Sequence, residues 1–164
     1  MSATPEKTDL PAVGTKRLMQ LLPHRPPMLL IDKMVDIIPD VSATGVRAVS
    51  INDPAFLGHF PGHPVMPGVM IIEAMAQTAG ALVMYSMNAS ADDKLVYFMS
   101  IDKARFRHPV VPGDLLRIPV KLLRARAPVW RFSGEGYVDG KLCAEAEFSA
   151  MIMDKAGRPA ITND

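Results

Sequence analysis

One cysteine in 164 residues, Cys143, excludes an internal disulfide. It also excludes any zinc or iron–sulfur site built from several thiolates. An unpaired thiol fits a reducing compartment, so the cytoplasm is the expected location. Charge of one sign is missing as well: 18 Lys and Arg against 17 Asp and Glu leave a net +1. Nucleic-acid binders are normally strongly basic, and the residues that stack bases are scarce, with aromatics at 6%. No nucleic-acid partner is expected. HExxH, CxxC, GxGxxG, GxxxxGK[ST] and GxSxG are all absent, which removes the usual metal, nucleotide-phosphate and serine-hydrolase signatures. A metal site therefore has weak support. Met1–Lys16 has no apolar run of seven residues, so no secretory signal is read there. The longest apolar stretch, Val65–Met87, is interrupted by Pro67, Glu73 and Gln77. A carboxylate is costly in lipid, so a buried helix is preferred to a membrane span.

What is present is a chain 49% hydrophobic and 21% charged, a globular composition rather than a disordered one. At this length one domain is expected, burying roughly 68–70% of its extended surface. We divide it into a polar leader at 1–16, a single domain at 17–154 and a tail at 155–164. Met28–Ile38 and Val41–Ser50 read as strands. Ile51–Pro67 holds prolines at 54, 61, 64 and 67, too many for a helix or central strand. Pro67 suits the start of a helix running from Gly68 to about Met87. Leu95–Arg107, Asp114–Arg126, Val129–Val138 and Leu142–Met153 read as four more strands, with Asp139-Gly140 as a hairpin turn. Pro119 inside the second of these calls for an edge position or a bulge. The helix is apolar almost all round and must be covered on every side. A curved antiparallel sheet wrapped round a central helix does this, so the expected class is α+β.

Chemistry concentrates between Gly58 and Gly80, GHFPGHPVMPGVMIIEAMAQTAG. Glu73 sits among Met70, Ile71, Ile72, Ala74, Met75 and Ala76. Desolvation there is expected to raise its pKa, as a general acid requires. Gln77 lies at i+4, where its amide can hold the carboxyl group. The helix pattern alone leaves a purely structural glutamate equally open. His59 and His63 stand in a proline-fixed loop, and a neutral imidazole is the natural base at pH 7. Spacing does not rank the two. Gly68 opens the helix, where unpaired amides and the positive end of the dipole favour a developing oxyanion. Base, acid and oxyanion donor together describe an elimination next to a carbonyl.

These residues carry a family resemblance. LPHRPPMLLIDKM (Leu22–Met34), GHFPGHPVMPGVMIIEAMAQTAG and YFMSIDKARFRHPVVPGDLL (Tyr97–Leu116) closely resemble the bacterial 3-hydroxyacyl-[acyl-carrier-protein] dehydratases of the FabZ type. The likeness spans about Leu22 to Met153. It implies a hot-dog fold, a dimer with shared sites, commonly a trimer of dimers, and no metal or organic cofactor. The implied reaction removes water from a (3R)-3-hydroxyacyl thioester on acyl carrier protein, giving the trans-2-enoyl thioester of fatty acid elongation. By this resemblance His59 is the base and Glu73, from the other subunit, the acid. The amide of Gly68 polarises the thioester carbonyl, and Gln77 steadies the carboxylate. His63 becomes a structural loop residue, with His63-Pro64 a candidate cis peptide, while His24 and His108 are left structural. Tyr97 is a looser match to a tunnel gate, and Phe98, Met99 and Met70 are assigned to the acyl tunnel.

Charge placement bears on the carrier protein, which is acidic. Ile101–Arg131 holds eight basic residues against two acidic, a net +6, which leaves −5 for the rest of the chain. Lys103, Arg105, Arg107, Arg126 and Arg131 are the expected docking residues. A hot-dog acyl thioesterase is the main alternative, although that class generally lacks the loop histidine. An isomerising dehydratase, which usually has Asp at the helical acid position, and a non-catalytic acyl-binding subunit are the others.

Overall fold

The computed structural model describes residues 10–158. Its elements run α1 (Thr15–Leu21), β1 (Lys33–Ile38), β2 (Ser42–Ala48), a 3-10 turn (Pro54–Leu57), α2 (Gly68–Ser86), β3 (Lys94–Phe106), β4 (Leu115–Arg126), β5 (Val129–Val138) and β6 (Lys141–Asp154). The strands form one six-stranded sheet in the order β1-β2-β4-β5-β6-β3, and every neighbouring pair is antiparallel. α2 packs on β2, β3, β4, β5 and β6, so the sheet curves round it. This is the expected α+β hot-dog arrangement.

Alternation explains why the strands lie as they do. In β6, Ala144, Ala146, Phe148, Ala150 and Ile152 are buried, while Glu145, Glu147, Ser149 and Met151 are half-buried on the other face. Phe148 stacks on Phe132 of β5 with ring centroids 6.0 Å apart, and both are fully buried beneath α2. Asp139 and Gly140 both take positive φ, 49° and 76°, which closes the β5–β6 hairpin with the twist that antiparallel strands favour. α2 reaches the sheet closely because two strand positions lack a side chain. A Cβ at Gly134 of β5 would lie 2.9 Å from Met75 Sδ, and one at Gly45 of β2 would collide with Thr78. α2 has the length and hydropathy of a membrane span, but nearly all of Ile71–Met84 is buried inside this protein.

Four expectations are corrected. Ordered structure reaches back into the segment read as a leader. Val13 exchanges backbone hydrogen bonds with Met34 at 2.8 and 2.9 Å, and α1 begins at Thr15, burying Leu18 and Leu21. That helix has no strong cap or charge pattern to announce it. Residues 1–9 of the leader and 159–164 of the tail lie outside the described residues. The first strand begins at Lys33 rather than Met28, because the chain turns after α1: the amides of Met28 and Leu29 both bond the Arg25 carbonyl. Pro119 is on β4, an interior strand, not at an edge. It pairs with Thr44 of β2, while the β4–β5 ladder passes over Ile118 and Pro119, where the missing N–H would otherwise be needed. The cis bond in the histidine loop joins His59 and Phe60, not His63 and Pro64.

Candidate active site

His59 is placed by the backbone of its own loop. Its N–H bonds the Ala55 carbonyl at 3.1 Å, its carbonyl accepts from Val65 N at 3.0 Å, and Phe60 and His63 bond each other across a tight turn. The ring stacks on Phe60 with centroids 4.0 Å apart. Nδ1 lies 2.7 Å from the Val65 carbonyl oxygen, an acceptor, so the proton resides on Nδ1. That tautomer leaves Nε2 bare, with the lone pair a base requires. His63 is exposed, and its side chain makes no hydrogen bond among the described residues. It supports the loop only through its backbone.

His59 lines an open cleft of about 510 Å³ with Gly68, Phe106 and His108. Gly68 begins α2 directly after Pro67, whose carbonyl already accepts from Met70 and Ile71 at 2.9 and 3.3 Å. The amides of Gly68 and Val69 have no backbone partner among the described residues. They are the free donors that a helix start presents to an oxyanion. A Cβ at Gly68 would stand 2.5 Å from the Phe106 ring, so a side chain there would press on the cleft wall. His108, read as structural, lines this cleft as well; spacing carries no signal for it, since it arrives from the end of β3.

Glu73 lies elsewhere in the same chain. It shares a small depression with Leu22, His24, Gln77, Val96 and Phe98, and none of the residues lining the His59 cleft borders it. Gln77 is buried and fully used. Its Oε1 accepts from Leu30 N at 2.8 Å, and its Nε2 donates to the Met28 carbonyl at 2.7 Å and to Glu73 Oε1 at 3.0 Å. His24 Nε2 stands 3.4 Å from the same oxygen. The expected raised pKa of Glu73 is not found in the single chain. Burial pushes it up, but the polar contact from His24, the Gln77 hydrogen bond and the charge of His24 together hold it below the ordinary value. His24 was missed because its partner is 49 residues away in sequence, beyond any local pattern.

The other expected residues scatter. Phe98 borders Glu73, and Met70 lines a separate apolar pocket of about 290 Å³ with Met28, Phe56 and Met66. Tyr97 and Met99 are exposed on β3, the long edge of the sheet, and line neither pocket. Half of the eight basic residues in Ile101–Arg131 are paired with acids, Arg117 with Asp36 at 3.3 Å among them. Lys103 pairs with Glu147 at 3.1 Å, Arg107 with Glu145 at 2.6 Å, and Arg131 with Asp102 and Glu147 at 3.1 and 2.7 Å. Among the described residues, Arg105, Lys121, Arg124 and Arg126 have no carboxylate within 4.0 Å. The sequence pattern marked the basic residues but not the acids that meet them from β6. Among the described residues no cluster of His, Cys, Asp and Glu is arranged to hold a metal.

Comparison with known proteins decides the family. A FabA-like domain model matches residues 22–147. The chain belongs to the FabZ-type dehydratases of this FabA-like family. It is 56% identical over 138 residues to the 3-hydroxyacyl-[acyl-carrier-protein] dehydratase FabZ of Acidiphilium cryptum, covering 84% of each chain. The enzyme of that name from Rhodospirillum rubrum is 48% identical over 160 residues, 97% of this chain and all of that one. The Gluconobacter oxydans counterpart is 58% identical over 142 residues, 87% and 84% of the two chains. Among solved structures, the dehydratase heterocomplex ApeI:P from Xenorhabdus doucetiae superposes with a TM-score of 0.75 at 23% identity, over 85% and 93% of the two chains. That likeness speaks to the hot-dog fold alone.

Proposed function

We propose that the active site of this 3-hydroxyacyl-[acyl-carrier-protein] dehydratase is completed by a second copy of the chain. The observation that carries this reading is the split just described: a base and free helix amides in one cavity, a carboxyl group in another, with no lining residue in common. The second copy pairs along β3. This 13-residue edge strand exposes Tyr97, Met99, Ile101 and Phe106, a length and character that lone edge strands avoid. A trimer of such dimers follows from the family resemblance.

His59 Nε2 takes the C2 proton of the thioester while the amides at Gly68 and Val69 stabilise the enolate oxygen. The C3–O bond then breaks, C2=C3 forms, and Glu73 of the second copy gives its proton to the departing hydroxide. Water leaves, His59 is protonated and Glu73 ionised, and solvent exchange resets both. Glu73 must therefore hold a proton. Its side chain is 22% exposed in the single chain, and a second copy over it removes the remaining water and raises its pKa. Arg105, Arg124 and Arg126, with no carboxylate within 4.0 Å among the described residues, attract the acidic carrier protein in the cytoplasm.

The test is enoyl absorbance from a 3-hydroxyacyl substrate, linked either to carrier protein or to pantetheine. His59→Ala and Glu73→Gln should each lower kcat by about 10²- to 10⁴-fold, and mixing the two inactive variants should restore part of it. Robust activity in either variant, or no recovery despite proven subunit exchange, would refute the shared site. Charge reversal at Arg126 should raise KM for the carrier-linked substrate alone; an equal effect on the pantetheine substrate would remove it from the docking surface.

A further inference from the structure

Two nitrogen donors converge on one oxygen of Glu73. Gln77 Nε2 is 3.0 Å from Oε1 and His24 Nε2 is 3.4 Å from it, while Oε2 has no partner among the described residues. The orientation of Gln77 is dictated from outside the site. Because its own Oε1 accepts the Leu30 N–H at 2.8 Å, its amide nitrogen must face the Met28 carbonyl and Glu73. His24 comes from the segment after α1. The Arg25 guanidinium braces that segment, donating to the carbonyls of Leu22, His24 and Met19 at 2.9, 2.7 and 2.9 Å. The Nδ1 atom of His24 is buried without a partner among the described residues. Nε2 is therefore the ring nitrogen in polar contact, and that contact is Glu73. An unpaired buried nitrogen is a cost that well-packed proteins usually avoid.

The rest of the surround is apolar: Leu22 beside α1, Ala76 and Gly80 of α2, Val96 and Phe98 of β3, and Ala150 of β6. His24 is thus the one titratable group facing Glu73 among the described residues lining this depression. An oxygen that already receives the Gln77 N–H and faces His24 Nε2 at 3.4 Å is a poor seat for a proton, since an O–H there would oppose N–H.

We propose that His24 is a positioning residue for the dehydration: with Gln77 it reserves Oε1 of Glu73 as an acceptor, so that the acid proton resides on Oε2 and is delivered from there. This rests on Glu73 being the general acid. His24 touches no reacting atom; it sets the rotamer and proton affinity of the group that does. Its Nε2 contact also steadies the carboxylate left after proton delivery.

The test compares His24→Asn with His24→Gln in the full-length assembled protein. A glutamine amide extends to about the reach of Nε2 and can donate to Oε1, whereas asparagine is one methylene shorter. Apart from the Nε2 contact under test, neither change removes a side-chain hydrogen bond of His24, because Nδ1 makes none among the described residues. Labelling the glutamate carboxyls with 13C gives five resonances to resolve, since the chain has five glutamates, and Glu73→Gln assigns the relevant one. The Asn variant should move the Glu73 titration midpoint upward, because the donor that opposes desolvation is lost. Its kcat should fall by about 10- to 100-fold with KM little changed, as for a mispositioned catalytic group. The pH-rate limb governed by the protonated acid should move upward with the carboxyl resonance. The Gln variant should recover most of kcat and return the midpoint towards the native one. An unmoved Glu73 resonance in the Asn variant, or equal losses in both variants, would overturn the role of His24. An active Glu73→Gln enzyme would instead overturn the assignment of the acid, and the two failures read out separately.

Discussion

Replacing Gln77 with methionine keeps the length and approximate volume of the side chain and deletes its amide. Three hydrogen bonds go with it, to Leu30 N, the Met28 carbonyl and Glu73 Oε1. They are not equal. Leu30 is 1% exposed, so its N–H is left without water or protein partner, at about 1–3 kcal/mol. Met28 is 49% exposed, and its carbonyl turns to solvent at little cost. Glu73 keeps some solvent and its His24 contact, so the loss there is about 1 kcal/mol. Methionine recovers little of this, because it already fills the volume the amide filled. The sum is a destabilisation of about 2–4 kcal/mol. For a domain of this size that is a fall in Tm of roughly 4–16 °C. Urea unfolding at neutral pH and fixed protein concentration measures it, since association with other copies adds to apparent stability. A Gln77→Met midpoint within about 0.5 kcal/mol of the unmodified protein would refute the reasoning, for it would mean that the buried Leu30 amide finds another acceptor.

Two more outcomes are expected. Gly45→Val on β2 places a Cβ against Thr78, a fully buried residue whose Oγ1 donates to the Ala74 carbonyl at 2.8 Å. Overpacking here should cost about 1–3 kcal/mol, read from the urea midpoint, and an unchanged midpoint would show that α2 lifts freely from the sheet. The pH dependence of stability tests the Glu73 environment. In the single chain, before a second copy covers it, its folded pKa lies below the ordinary 4.5, so in dilute, dissociated protein its contribution is present above that value and is lost as pH falls through the folded one. Glu73→Gln should therefore narrow its stability gap to the unmodified chain on acidification through that window; a gap that widens would reverse the sign assigned to His24 and Gln77.

The strands of the second half were legible to within a residue or two because each buries one face, and an alternating pattern such as Ala144–Ile152 is sufficient to mark it. α2 was legible as an all-round apolar run behind Pro67. α1 was not, since seven residues are held by packing of Leu18 and Leu21 rather than by local signals. The interior place of Pro119 was hidden for a related reason: the ladder has a gap on the β5 side that only pairing reveals. In the site, residue types named the candidates His59, Gly68, Glu73 and Gln77. The sign of the Glu73 shift escaped because desolvation is visible in neighbouring residues, whereas His24 approaches from the segment after α1.

The scarcities noted at the outset, in cysteine, aromatics and net charge, bounded the chemistry without locating it. By itself the sequence determined the class of fold and the family, and it named the stretch holding the candidate groups, because periodicity and a dense motif are local properties. Tertiary structure decided three things that depend on distance through space. It paired Lys103, Arg107, Arg117 and Arg131 with acids, so that within Ile101–Arg131 the basic residues left without a carboxylate among the described residues are Arg105, Lys121, Arg124 and Arg126. It set Glu73 beside His24. It also parted His59 from Glu73 into separate cavities, which makes a second copy of the chain part of the site we propose.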